Sequence, residues 1–160
     1  MLSQKEYRNP TPTVDVIISR GSEVLLIRRK EDPFKGQLAI AGGFINENET
    51  VEQAAIREVM EETTLPIQLI EILGVYSDPK RDPRKHIMST VFVGEIVGDK
   101  NIKPIASDDA SETAWISIES IRNLSFSFDH KKILNDFKNW REIKGTYWST
   151  KNQNKDKVSI

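Results

Sequence analysis

One segment fixes more of this chain's architecture than any other: an amphipathic helix over Thr50–Thr63, with its start and stop signals written beside it. Thr50 followed by Gln53 makes a capping-box pattern, in which each side chain satisfies a backbone N–H left bare at a helix start. Pro66 lacks the N–H and the space to continue the helix, and so closes it. At about 100° per residue, Ala55, Ile56, Val59, Met60 and Thr63 gather on one face, which needs an apolar layer to pack against. The β-rich runs supply that layer. Thr13–Ser19 and Glu23–Ile27 flank Arg20-Gly21-Ser22 and read as a hairpin. Further strands are expected at Leu38–Ile40, Leu69–Tyr76, Ile87–Ile96 and Ala114–Ser117. A second helix is expected at Asp129–Trp140, with Ile133, Leu134, Phe137 and Trp140 inward. Glu31–Gln37 reads as a loop, and Gly42-Gly43 as the lead into a turn that feeds the first helix. Strands mixed with two helices predict an α/β fold, a mixed sheet covered on both faces.

A chain of 160 residues favours one domain, placed at 1–148, with a loose polar tail over 149–160. The net charge of -1 gives no overall basic field, so nonspecific nucleic-acid binding is not expected. The absence of cysteine removes disulfides, thiolate metal sites and cysteine nucleophiles together. The amino-terminal MLSQKEYRNP carries no apolar run, so neither a secretory signal nor a membrane anchor is expected, and a cytoplasmic location is the default.

Within the first helix, Glu58, Glu61 and Glu62 stand at i, i+3 and i+4, side by side next to the apolar face. Like charges at these spacings cost an isolated helix roughly a few tenths of a kcal/mol each. A hard divalent cation reverses that sign, because Mg²⁺ favours carboxylate and water oxygens. Three glutamates alone are more commonly just a solvated acidic face. The segment before them shifts the balance: Gly42-Gly43 lets backbone approach a metal or phosphate with no Cβ in the way. Glu49, just before the cap, and Arg57, beside the acidic cluster, suit an ion pair that ties the loop onto the helix.

The stretch GGFINENETVEQAAIREVMEETTL resembles the Nudix box, G-x5-E-x7-R-E-U-x-E-E-x-G-U with U aliphatic. Gly43, Glu49, Arg57, Glu58, Val59, Glu61, Glu62 and Leu65 fall on its positions. The resemblance implies a Nudix-type α/β/α sandwich with the mixed sheet between helices. It also implies that Glu58 and Glu62 are the principal Mg²⁺ ligands with Glu61 assisting, that the Gly42 carbonyl is a further ligand, and that Mn²⁺ can substitute. Gly43 and the Glu49–Arg57 pair are then structural. Two departures stand out. Thr64 replaces the last glycine, where a helix often ends in the left-handed region and a β-branched residue meets a steric cost. Leu38-Ala39-Ile40-Ala41 before Gly42-Gly43 replaces the usual W-x-L-P, which loses a proline but no ligand.

The loop YSDPKRDPRKH crowds Lys80, Arg81, Arg84, Lys85 and His86 between and beyond two prolines. Such a run is commonly a solvated surface, yet guanidinium forks on a stiffened loop also match phosphate oxygens. Together with FDHKKIL, this loop resembles the bacterial and archaeal ADP-ribose pyrophosphatase subgroup, with Lys85 where members carry glycine. The implied reaction is attack of water on one phosphorus of ADP-ribose, giving AMP and ribose 5-phosphate. Arg81 and Arg84 would then bind the diphosphate or terminal phosphate. Arg28 and Arg29 end a strand near the presumed site, and one of them, with Arg28 preferred, is expected to reach a phosphate. The base for the water is expected at Glu112, on a loop entering the strand of Trp115, with Asp108 and Asp109 competing for the role. His86 and His130 read as loop or cap residues, and Trp115 as core.

Two alternatives stay open at this point. One is hydrolysis of nucleoside triphosphates or other nucleotide sugars. The other is a non-catalytic ADP-ribose sensor, since the same loop occurs in Nudix domains of transcriptional regulators. The intact acidic box and the short chain after Trp140 weigh against a sensor with a DNA-binding winged helix. Related enzymes are often dimers, so a homodimer is an expectation by analogy.

Overall fold

The first hairpin turns on Gly21-Ser22, and its two strands part almost at once. In the computed structural model, which describes residues 6–152, β1 (Thr11–Arg20) and β2 (Glu23–Arg29) pair only through Ser19 with Val24 and Arg20 with Glu23. β1 then joins β4 (Ala41–Phe44) antiparallel and β6 (Ile87–Ile96) parallel. β2 joins β3 (Leu38–Ala39) and β7 (Ala110–Ser117), both antiparallel. β5 (Ile67–Tyr76) runs antiparallel to β6 and carries β8 (Tyr147–Trp148) in parallel on its other edge. The far ends of β1 and β2 thus stand apart, and residues from both line a cleft between them.

The two helices cover opposite faces of this sheet. Along β1, successive side chains alternate: Val14, Val16 and Ile18 pack with Ala54, Ala55 and Val59 of α1 (Val51–Thr63), whereas Ile17 packs with Ile133, Leu134 and Phe137 of α2 (His130–Glu142). The same parity puts Asp15 on the α2 side. This is the expected α/β/α sandwich, and it explains why β1 and β2 read as near-continuous apolar runs.

α1 begins as its sequence requires. Thr50 Oγ1 accepts the Gln53 N–H at 3.1 Å and Gln53 Oε1 accepts the Thr50 N–H at 2.9 Å. It ends on Thr64 in the left-handed region, φ 60 and ψ 13, whose N–H reaches the Met60 carbonyl at 2.9 Å. Its buried face differs from the apolar stripe read from the sequence: Ile56 and Met60 are exposed, while Glu62 is buried. The helix is rolled so that Glu58 and Glu62 reach β4, and two apolar side chains are turned outward in consequence.

Other differences are local. Gly42 and Gly43 lie inside β4, ahead of the expected turn, which falls at 47–48 and leads to α1. β7 starts at Ala110, so Glu112 sits in a strand and not on a loop. β8 and a 3-10 helix over Ile118–Asn123 are additional elements. The chain after Trp148 is not immediately loose: Ser149 is buried, and its Oγ accepts the N–H groups of Ser77 at 2.8 Å and Asp78 at 3.1 Å. The rest of the expected tail, 153–160, lies outside the described residues. β8 can close on β5 because Gly74 is bare; a Cβ there would stand 1.9 Å from the Tyr147 carbonyl oxygen.

Candidate active site

α1 and β4 bring the acidic residues against bare backbone. Gly42 donates its N–H to Glu62 Oε2 at 3.1 Å. The Glu58 carboxyl lies so close to Gly43 that a Cβ on that residue would stand 2.4 Å from Glu58 Cδ. Arg57 then locks the surroundings. Its Nε donates to Glu49 Oε1 at 2.6 Å and its Nη2 to Glu49 Oε2 and the Phe44 carbonyl, each at 3.0 Å. Its Nη1 donates to Glu58 Oε1 at 2.8 Å and Glu61 Oε2 at 3.1 Å. The hydrogen bonds from Arg57, with one from the Asn46 N–H, hold the Glu49 carboxyl down at about 2.

The electrostatics of the two inner carboxyls run the other way. Burial pushes Glu58 up, against the pull of Arg57. Burial pushes Glu62 well above the ordinary carboxyl value, the Gly42 N–H opposing it and Glu58, Asp15 and Asp109 adding to it. Carboxylates crowded in this way are stabilised by a hard cation with oxygen preference, so the donor set fits a divalent metal. Among the described residues, no three histidine, aspartate or glutamate side chains form a ready-made cage. A cation here would draw on backbone oxygen or water as well as Glu58 and Glu62.

The cleft beside these carboxyls has a volume of about 210 Å³, and Arg29, Arg81 and Arg84 line it as well. Arg84 is held by Asp82, with Nε to Oδ1 at 3.1 Å and Nη2 to Oδ2 at 2.8 Å, which raises the guanidinium further. Arg29 donates from Nε to the Pro33 carbonyl at 2.7 Å, and its guanidinium lies 4.9 Å from the centroid of the Phe128 ring. Burial, and then Arg84 nearby, lower its pKa, so an anion between the two arginines would relieve both. The cleft thus holds buried carboxyls and arginines together, with Asp82 and Asp109 among the arginines, an arrangement suited to a metal-bound polyphosphate.

Residues 9–137 match the NUDIX domain family. This chain belongs to that family. An ADP-ribose pyrophosphatase of Methanocaldococcus jannaschii is 44% identical over 135 residues, covering 84% of this chain and 77% of its own. A MutT/nudix family protein of Enterococcus faecalis superposes with a TM-score of 0.74 at 29% identity, covering 88% of this chain and 65% of that one. A bifunctional NMN adenylyltransferase/ADP ribose pyrophosphatase of Francisella tularensis, complexed with AMP and a manganese ion, gives a TM-score of 0.70 at 27% identity; it covers 88% of this chain and 44% of that one.

The Nudix cleft gathers Gly42, Gly43, Glu58, Glu62, Arg81 and Arg84 of the residues singled out in the sequence. Glu61 pairs with Arg57 at 3.1 Å and is not among the residues that line the cleft. Two more expected members are elsewhere. Arg28 and Glu112 pair with each other at 2.9 Å, both side chains well exposed, and neither lines the cleft. The reason is strand parity: neighbouring residues point to opposite faces, and it is Arg29 that turns inward. Asp108 and Asp109, the competitors of Glu112, do line the cleft. Arg81 lines it too, but its fork is already engaged by Asp129, at 2.9 and 2.7 Å. Burial would lower Arg81, and Asp129 with Asp15 more than offsets it.

Asp15 and His130 also line the cleft, although neither is expected there from the sequence. Asp15 is buried, and its Oδ2 accepts the Ser89 hydroxyl at 2.5 Å. His130 is buried at the start of α2, and its Nδ1 accepts the Ile40 N–H at 2.9 Å, which assigns the proton to Nε2. Burial lowers its pKa and keeps the ring neutral. The signal for Asp15 was a charged residue inside TVDVIIS, a strand with no polar face. His86 is a loop residue as read, within 2.8 Å of the Ser77 carbonyl.

Proposed function

We propose that this Nudix protein hydrolyses the diphosphate linkage of ADP-ribose to AMP and ribose 5-phosphate, with Mg²⁺ or Mn²⁺ as cofactor. The observation that carries this reading is that one cleft is lined both by Glu58 and Glu62 and by Arg29 and Arg84. The 44% identity to an ADP-ribose pyrophosphatase supports the choice of substrate.

Glu58 and Glu62, with Glu61 and the Gly42 carbonyl assisting, would hold the metal. A bound divalent cation would offset the negative charge that builds up on the phosphate oxygens. Arg57 keeps Glu58 aimed, while Glu49 and the Phe44 carbonyl keep Arg57 in place. Arg84 and Arg29 orient the diphosphate through non-bridging oxygens. The water oxygen bonds to one phosphorus as the bridging P–O bond breaks, and the water proton passes to a carboxylate. Asp108 and Asp109 support that last role better than Glu112, which pairs with Arg28 away from the cleft. Arg81 acts on the loop's posture through Asp129.

The deciding experiment is a hydrolysis panel with Mg²⁺ over ADP-ribose, NADH, diadenosine polyphosphates, nucleotide sugars and nucleoside triphosphates. ADP-ribose should give the highest kcat/KM. A clear preference for a triphosphate would move the protein to that class, and tight ADP-ribose binding without turnover under either metal would make it a sensor.

A further inference from the structure

Among the polar groups at the floor of the cleft, the carboxyls of Asp15 and Asp129 face the guanidinium of Arg81, which Asp82 also approaches, with His130 neutral beside them. Asp129 is satisfied by the Arg81 fork. Asp15 is satisfied on one side only. Its Oδ2 takes the Ser89 hydroxyl at 2.5 Å and lies 3.9 Å from Arg81 Nη2. Its Oδ1 lies 3.6 Å from His130 Nε2, beyond hydrogen-bond reach, and Asp15 lines the cleft. Ionised carboxylate oxygens only accept, so this position calls for a donor from whatever fills the cleft. Phosphate oxygens cannot serve; a hydroxyl can.

The strand register says which hydroxyl. Asp15 is the Cα partner of Gly42, whose N–H holds Glu62. The carboxyl therefore stands one strand away from the groups that would handle the diphosphate, where the sugar joined directly to that diphosphate would lie. We propose that Asp15 is a specificity residue that accepts a hydrogen bond from a ribose hydroxyl next to the scissile linkage, held in aim by Ser89 and Arg81. This rests on the reading of the substrate as ADP-ribose.

The test crosses protein variants with substrate variants. Wild type, Asp15→Asn and Ser89→Ala are assayed with ADP-ribose and with four analogues, each lacking one ribose hydroxyl, two on the adenosine side and two on the terminal side. A hydrogen bond to a charged acceptor predicts that one analogue loses about 10- to 100-fold in kcat/KM with wild type. Asp15→Asn should lose a similar factor on ADP-ribose and little more on that one analogue, and the analogue's identity names the ribose. Ser89→Ala, which keeps the carboxylate but frees it, should shrink the discrimination a few-fold and serves alone if Asp15→Asn does not fold. A purely structural role would lower all substrates by the same factor, and unchanged discrimination in both variants would overturn the assignment. Failure of the unaltered protein to hydrolyse ADP-ribose would instead overturn the substrate reading, and this inference with it.

Discussion

Glu58 occupies the space that a side chain on Gly43 would need, the two atoms falling 2.4 Å apart. Gly43 is therefore a spacer for a carboxylate, required for room and not for an unusual backbone angle. Gly43→Ala should displace Glu58 and cost about 1–3 kcal/mol in stability, as overpacking does. Its kcat should fall by orders of magnitude, as for Glu58→Gln, which removes charge and keeps shape. Thermal melts and steady-state kinetics on both variants check this; an active Gly43→Ala protein would show that Glu58 can work from another position.

The base assignment separates cleanly. Glu112→Gln should leave kcat within about twofold, since its partner Arg28 is exposed and a surface pair contributes little. Asp108→Asn or Asp109→Asn should lower kcat about 10²-fold, with the loss shrinking at high pH as hydroxide takes over. A Glu112 variant as damaged as these would return the role to that residue.

Thr64 holds a left-handed conformation that costs a non-glycine residue about 1–2 kcal/mol. Thr64→Gly removes that cost but gives back part of it as unfolded-chain entropy. The net gain should be roughly 1 kcal/mol or slightly less, read as a rise of about 3 °C in Tm. A lower Tm would mean that the threonine side chain contributes something the glycine cannot replace.

Glu49 gives a pH signature with a definite sign. Its folded value of about 2 lies below the ordinary 4.5, so the Arg57 interaction stabilises the fold above pH 4.5 and is lost as pH falls through 2. Glu49→Gln should therefore melt lower than wild type at neutral pH, and the gap should narrow steadily between pH 4.5 and 2. A gap independent of pH would assign the effect to packing and not to charge.

The sequence was most informative where one signal decided the outcome. Thr50, Gln53 and Pro66 delimit α1 because caps and prolines act locally, and the glutamate spacing survives into the cleft because helix geometry is rigid. It was least informative where parity or distant pairing decides. Arg28 and Arg29 are chemically identical, and only strand register sends one to the cleft and the other to Glu112. Gly42 and Gly43 have no intrinsic preference for a strand, and they adopt one because β1 offers a ladder. The polar start of β7, exposed at Ser111 and Glu112, likewise has no apolar period to announce it and is held in place by β2. Asp15 has no motif around it, and nothing nearby in the chain names Ser89, Arg81 or His130 as its neighbours.

The contact between Gly74 and Tyr147 has a genetic reading. Main chain meets main chain there, and the strand so docked delivers Ser149 to the amides of Ser77 and Asp78, the first residues of the loop that carries Arg81 and Arg84. A screen for lost activity should thus return substitutions at Gly74, well outside the cleft, and their carriers would look like binding mutants. The lesion would travel by the chain's own end: a side chain at one strand edge evicts a short strand, and an arginine loop loses its anchor.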